Sequence, residues 1–516
     1  MKKFLLTTVL FNLFVYCFSQ DWIRYYGYGS QPYASYCIEQ YDKGYILLGD
    51  INNYKFSWIV KTDINGNKLW DIKIGDGINE IMPANIEQTQ DNGFILCGTT
   101  TIYSSPSHDP FIMKLNSCGD VEWCKVLNYD EAYNGSYGVK QTKDGGYVLL
   151  TLFQNDLNDR IRMFKFDSGG ELFWAKTYNH DSLTIDEMPR DLYVDTNNFL
   201  ISGSCYYPEW LKPYYIQTDT SGNETWRLAY SQHTGLGYVG DVFASVRDKH
   251  GNYYSAGFRE GSPEMLKVSG NGFEMMNVDL YPTSLSGNAV TILLFNDTTL
   301  IIGAGWTLNG TDFELAMLKT DTLGVVLKQK DLPNPDNSGM VWSAKTFDNK
   351  VVVVGTDFNG AISRIVLFKF NSDLEYDSVY TRPFTYDSLC PDTIVSHTIM
   401  PDCDVITGLN EPFSDPETAS LKVFPNPASQ KVTIEMPEYL LIEKGAGGVS
   451  SSTVYHKWKS TTLEVYNLSG KKVFEKEIIR AQSSIDIDVS KWPGGMYYFR
   501  LMYNKQVVAG EKVIIQ

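Results

Sequence analysis

The stretch Gln90-Asp-Asn-Gly-Phe-Ile-Leu-Cys-Gly-Thr-Thr100, followed after a variable loop by Phe111-Ile-Met-Lys-Leu-Asn-Ser-Cys-Gly-Asp-Val-Glu-Trp123, decides the fold. It is one copy of a unit that recurs about seven times before roughly residue 380, the kind of self-similarity that marks solenoids, propellers and arrays. The glycine ending the first apolar run recurs at Gly49, Gly98, Gly203, Gly257, Gly303 and Gly355, with Thr151 in its place in one copy. The lysine of the second run recurs at Lys61, Lys114, Lys165, Lys267, Lys319 and Lys369, with Gln217 in one copy.

Each copy reads as four short strands, in the first copy Ser35–Tyr41, Tyr45–Asp50, Ser57–Asp63 and Lys68–Ile74. Turns such as Asp42-Lys43-Gly44, Asp91-Asn92-Gly93 and Asn65-Gly66-Asn67 supply the positive φ angles of tight hairpins. No period of 3.6 competes with the alternation. Four antiparallel strands repeated in this way predict an all-β, seven-bladed β-propeller over residues 20–382. Along Phe111–Asn116, Phe, Met and Leu alternate with Ile, Lys and Asn, so both faces of the strand carry apolar residues, as blades packed face to face require. A carboxylate or amide often follows the lysine by two residues (Asp63, Asn116, Asp167, Asp219, Asp321, Asn371). Because nearly every copy repeats the pair, it reads as structural.

The pattern T-D-x-x-G-x-x-x-W at Thr62–Trp70, varied at Thr218–Trp226 and matched by Trp123 and Trp174, resembles the tryptophan-bearing repeat of quinoprotein-type propellers. It is also similar to that of the propeller lipoprotein of outer-membrane assembly, and distantly to the Asp-box of sialidases. In those families the repeat staples the fold and does no chemistry. The quinone enzymes add adjacent cysteines and the sialidases an arginine cluster, and this sequence has neither.

Met1–Ser19 reads as a secretory signal, with Lys2 and Lys3 before the apolar run Phe4–Phe18 and cleavage before Gln20. Tyr16 stands where a lipobox needs a small residue, so Cys17 is not read as a lipid anchor. No other segment is long and apolar enough to span a bilayer. In an oxidising compartment the remaining seven cysteines can pair. Cys118 with Cys124, and Cys390 with Cys403, suggest local bridges, whereas Cys37, Cys97 and Cys205 read as buried thiols. Metal-ligand spacing is absent and no cofactor is expected. A formal net charge of −17 on 516 residues excludes a nucleic-acid partner, which needs a basic face.

After Pro383 the repeat stops, and residues 383–420 read as a linker. Three blocks follow: Leu421-Lys-Val-Phe-Pro425-Asn426-Pro427-Ala428, then Leu463–Val473 with a turn at Gly470, then Val489-Ser-Lys-Trp-Pro493-Gly494-Gly495 running on through Lys512 to Gln516. Alternating strands between such turns predict a small immunoglobulin-like β-sandwich over 421–516. The three blocks resemble the type A C-terminal sorting domain of the Bacteroidetes type IX secretion system. That resemblance implies export through the outer membrane with the domain as an address, and the secretion machinery as a partner. Tyr439–Ser460 departs from the pattern as a loop insertion.

What every blade shares is scaffold, so a site must lie in what differs. Short turns join strands one to two and three to four on one face of the disc. Longer, variable connections lie on the other, where binding residues concentrate. Candidates there are Tyr54, His108, Asp109, Asn155, Asp156, Tyr206, Tyr207, Trp210, Trp306 and Asp312. Two functions remain open: a non-catalytic secreted propeller binding protein or glycan, and a secreted polysaccharide- or peptide-degrading enzyme with its site in the propeller mouth.

Overall fold

Tyr45–Ile51 and Phe56–Thr62 are buried along almost their whole length, the mark of strands covered on both faces. They are β3 and β4 of the first blade, flanked by β2 (Tyr33–Glu39) and β5 (Lys68–Ile74). The next blade repeats the order with β6 (Ile81–Gln88), β7 (Phe94–Thr100), β8 (Asp109–Leu115) and β9 (Val121–Leu127). The computed structural model describes residues 22–516 except 28, 104–107, 129–133, 155–158, 179–186, 207–210, 230–239, 281–285, 309–311, 334–338, 360–361, 408–420, 436–460, 468–470, 479–483 and 504–505. The signal segment lies outside the described residues.

Among those residues, seven sheets carry four antiparallel propeller strands each. The first strands of successive sheets touch one another, and β2 touches Gly339–Lys345 of the last sheet, so the row closes into a ring. Its apolar core lies between sheets. Ile46, Leu48, Ile59 and Ile72 of one blade pack on Leu96, Phe111 and Met113 of the next.

Ring closure joins the start of the propeller to its last blade. The strand Ile23–Tyr26 (β1) pairs antiparallel with Ile365–Phe368 and completes the last blade. Residues 374–381 run on past that position. Leu374 is buried beside Phe370, and Asp377 meets Lys350 at 2.5 Å and Lys369 at 3.3 Å.

The expected linker is corrected from Phe384 to Thr407, which belongs to the propeller unit; the two compact units separate at Thr407/Gly408. This segment is a strap laid on the outer rim. His397–Ile399 pairs parallel to Ile72–Ile74, and Asp404–Ile406 pairs parallel to Lys125–Leu127. Each adds a fifth strand and covers an exposed sheet edge. The expected local disulfides are corrected too. Cys118 is bonded to Cys390 and Cys124 to Cys403, with Cα separations of 5.5 and 4.5 Å. Cys37, Cys97 and Cys205 are buried free thiols, as read.

The repeated lysine and aspartate serve separate bonds. Lys114, 1% exposed, reaches back to Asp91 of the first hairpin at 2.9 Å, and Lys61 and Lys165 meet Asp42 and Asp144 at 2.6 and 2.8 Å. A Cβ on Gly93 would lie 2.3 Å from the Leu115 carbonyl oxygen and 2.6 Å from the Lys114 ammonium, which is why that turn ends in glycine. The aspartate two residues after the lysine caps its own turn instead: Asp63 Oδ1 accepts from the N–H of Asn65 and Asn67, both at 2.8 Å. The tryptophan joins neighbours. Trp123 of the second blade lies on Gly170 of the third, where φ is +83° and a Cβ would stand 2.6 Å from the ring.

The second unit has a three-stranded sheet (Lys422–Phe424, Lys431–Glu435, Ser484–Asp488) and a four-stranded one built on Thr461–Asn467 and Gly495–Tyr503. Val432, Ile434, Leu463, Phe499 and Ile515 fill one apolar core, as a sandwich requires.

Candidate binding site

The connections from strand two to three, and from blade to blade, share one face because the strands alternate in direction. On that face the loop Asn52-Asn53-Tyr54 holds three consecutive residues left-handed, with φ of 56°, 55° and 63°. Such a conformation costs roughly 1–2 kcal/mol per non-glycine residue, so tertiary bonds must impose it. They do: Asn52 N–H donates to Ser30 O at 2.9 Å and Ile81 N–H to Tyr54 O at 2.7 Å. The Asp50 carboxyl accepts from the Tyr54 N–H, while its burial raises its pKa to about 7.

The result is a displayed ring. Tyr54 is 40% exposed and stacks on Tyr33 with centroids 6.1 Å apart and planes within 18°. Phe358 meets the Tyr33 ring edge-on at 5.8 Å. Tyr33 opens the innermost strand β2 and Phe358 stands near the end of Val351–Asn359, so the platform bridges the last blade and the first. Beside it Lys55 Nζ lies 3.9 Å from Glu80 Oε1, and Glu80 Oε2 lies 3.1 Å from His108 Nε2. Glu80 is fixed by its backbone: its N–H donates to Thr101 Oγ1, and its carbonyl accepts from Thr101 N–H and Thr100 Oγ1.

The structure therefore brings Tyr54 and His108 to one stretch of rim. Asp109 lies below it, fully buried, accepting from Asn128 Nδ2 at 3.1 Å. Trp306 is corrected: it is 0% exposed within Thr299–Leu308 and packs in the core with Ala289 and Ile302. Asn155, Asp156, Tyr207 and Trp210 lie outside the described residues. Tyr206 ends the strand Asn198–Tyr206 and Asp312 begins Asp312–Asp321.

A second convergence lies at the ring's centre. Each innermost strand carries a bulge at the same step, between Ala34/Tyr36, Pro83/Asn85, Ser136/Gly138, Pro189/Asp191, Val242/Ala244, Ala289/Thr291 and Met340/Trp342. Bulges re-aim the residues beside them. Tyr36 stacks on Trp342 at 4.1 Å, and Lys140 Nζ stands 3.5 Å from Tyr36 OH and 3.6 Å from Glu87 Oε1. Burial opposes the Lys140 charge, but Glu87, Tyr36 and Asp191 outweigh it and hold the ammonium above its ordinary pKa. Burial raises Glu87 and Asp191, with Lys140 partly offsetting it. These carboxylates also serve the inner edge, since Asp191 Oδ2 accepts from Ser245 N–H and Glu87 Oε2 from Gln141 N–H of the next blade. Sequence reading missed this group because it sought variation in loops. The same subtraction on the innermost strands finds Tyr36, Asn85, Asp191 and Trp342 at one repeat position.

Residues 422–516 match the family model of the secretion system C-terminal sorting domain. The chain is cargo of the type IX secretion system. It is secreted or displayed at the outer cell surface, and its propeller faces that environment. In the sorting domain Asn426 ties the first block to the last, donating to Lys512 O at 2.8 Å and accepting from Ile514 N–H at 2.9 Å. Pro425 and Pro427 flank it, each after a cis peptide bond. Pro493 O accepts from Tyr497 OH at 2.8 Å, Gly494 and Gly495 open the strand Gly495–Tyr503, and Lys512 is exposed. Gly470 lies outside the described residues.

No curated protein matches the chain. A polysaccharide lyase of family 25, an ulvan lyase, aligns at 10% identity and a TM-score of 0.47, over 69% of this chain and 96% of its own. An α-L-arabinanase of Penicillium chrysogenum gives 12% and 0.41 over 67% and 98%. The β-propeller domain of the trilobed protease of Pyrococcus furiosus gives 9% and 0.41 over 68% and 99%. At these values they carry no argument about this chain's function. No helix of the described residues is long and apolar enough to cross a membrane.

Proposed function

We propose that this secreted propeller is a non-catalytic binding module that holds an extracellular protein or glycan on its loop face. The observation that carries the reading is Tyr54: a bulky residue is kept in an unfavourable backbone region, and its ring is left displayed on a rigid aromatic stack. Strain maintained by surrounding bonds is characteristic of recognition sites. Two buried carboxylates support the non-catalytic reading. Asp50 and Glu187 titrate near 7 because they are buried, and Glu187 is closed off by Arg227 at 2.8 Å. A general acid or base must reach the substrate.

The purified full-length protein, tested on glycan and protein arrays and on polysaccharide and peptide substrates, is expected to bind without cleaving. Release of new reducing ends, unsaturated sugars or peptide fragments would overturn the non-catalytic reading.

A further inference from the structure

Independently of the loop-face reading, we propose that the outer rim of the fifth and sixth blades docks an extended segment of a partner protein, one that carries aliphatic side chains and a carboxylate. The first observation is a departure from the repeat. Four residues past the opening of the turn from strand three to four, the other blades carry Asn67, Asp120, Glu171, Asn223 and Glu375. The fifth and sixth carry Phe273 and Val325 there, both exposed, beside the exposed Met275, Leu323 and Leu327. The two groups adjoin, since a Cβ on Gly324 would stand 2.9 Å from Val278 in the fifth blade's last strand, Glu274–Asp279. Large apolar side chains gathered on a surface in this way mark a place of interaction.

The second blade shows what covers such a surface. Cys390 of the strap is bonded to Cys118, at the turn position that Leu323 holds in the sixth blade. The strap then runs parallel to β9, where Lys125 Nζ meets the strap's Asp404 at 2.9 Å and Glu171 of the following blade at 3.3 Å. Lys330 stands in the sixth blade where Lys125 stands in the second, each nine residues past the opening of the turn. It lies in Val326–Leu332, the outermost strand of its sheet, and meets Glu375 of the following blade at 3.4 Å, as Lys125 meets Glu171. Glu375 is shared with Lys328 at 2.7 Å, and the Lys330 ammonium also lies over the Tyr376 ring. Among the described residues no fifth strand pairs with Val326–Leu332, so no counterpart of Asp404 reaches Lys330. A segment added parallel to that strand would pair its edge, cover the apolar turn and set an acid beside Lys330. A second copy is the poorer occupant. Each copy carries a formal charge of −17, and antiparallel pairing of two such strands about Gln329 would set Lys328 against Lys330.

The probe is a random peptide library displayed on phage and panned on the immobilised full-length protein, with enriched peptides synthesised and titrated by fluorescence anisotropy. Enriched sequences should join an aspartate or glutamate to aliphatic neighbours, as Asp404-Val-Ile does in the strap. Val325→Asp and Leu327→Glu should each weaken that binding about tenfold or more, and Lys330→Gln about threefold or more, with melting and near-ultraviolet dichroism unchanged. Changing the peptide's acid to its amide should weaken binding to the wild type and make little difference to Lys330→Gln. Binding that survives both Val325→Asp and Leu327→Glu in folded variants would overturn the location. Enrichment of basic or uncharged peptides alone would overturn the partner's chemistry. A dimer in sedimentation, or flotation with phosphatidylglycerol vesicles, that Leu327→Glu abolishes would give the surface to a second copy or to a membrane and sink the proposal. So would a library from which nothing is enriched.

Discussion

Asp50 links the mouth of the ring to pH. Its carboxyl is 4% exposed between Tyr33 and Ser57, and burial lifts its pKa from 3.8 to about 7 against the pull of the Tyr54 N–H. In the unfolded chain an aspartate ionises near 4. Below that value both states hold the proton and the fold has its full stability. Between about pH 4 and 7 the unfolded chain sheds its proton first, so stability falls with rising pH and levels off above about 7. Asp50→Asn keeps an acceptor for Tyr54 and removes the charge. It should flatten part of that slope and stabilise the protein at pH 8 by on the order of 2–4 kcal/mol, read from urea midpoints between pH 4 and 8. Wild type and variant with the same slope would show that Asp50 is not the group responsible. Glu39 and Glu187, also raised to about 7 by burial, supply the slope that remains.

At the scale of elements, the strap is the feature that sets this ring apart from four-stranded blades alone. It is held at each blade it crosses. Just ahead of it Tyr380 N–H donates to Asn65 Oδ1 at 2.7 Å, and along it Trp70 Nε1 donates to Asp387 Oδ2 at 3.0 Å and Ser396 Oγ to Asp71 Oδ1 at 2.7 Å. Lys125 meets Asp404 at 2.9 Å. The two disulfides join residues 272 and 279 positions apart, so they tie the end of the unit back to its second blade. The double variant Cys390→Ser, Cys403→Ser should keep the ring, because β1 and the inter-blade core are untouched. It should lose about 2–5 kcal/mol of stability. Amide exchange should quicken at Ile72–Ile74 and Lys125–Leu127, the edges the strap covers. Protection unchanged at those six residues would mean that the strands hold the strap without the bonds.

At the scale of the whole molecule, the two units divide the work. The propeller has a closed ring and a displayed rim; the sorting domain has its own core, with Asn426 joining its first and last blocks. Removing residues 421–516 in the native host should leave the propeller in the periplasm, detected by fractionation and immunoblotting. If the truncated protein reached the medium or the cell surface, the tail would not be the export address.

Much of this was written in the chain itself. The period of the repeat, the Asp-x-Gly and Asn-Gly turns and the alternation about Lys114 are local properties, because a hairpin depends on residues a few positions apart. They determined the propeller and its strand boundaries to within a few residues, whereas the strand that closes the last blade was decided by the tertiary structure. The three terminal blocks pointed to the export route through their resemblance to a sorting domain, which the family match over residues 422–516 bears out. Only the tertiary structure decided the rest. Whether Cys118 pairs with Cys124 or with Cys390 depends on where residues 384–407 lie, and nothing local distinguishes a strap from a linker when its partners are the outer edges of distant blades. Trp306 read as a loop residue because sequence shows the type of a side chain but not its burial. Lys55, Glu80 and His108 meet because the first and second blades pack side by side, and Tyr33 meets Phe358 only because closure brings the last blade against the first.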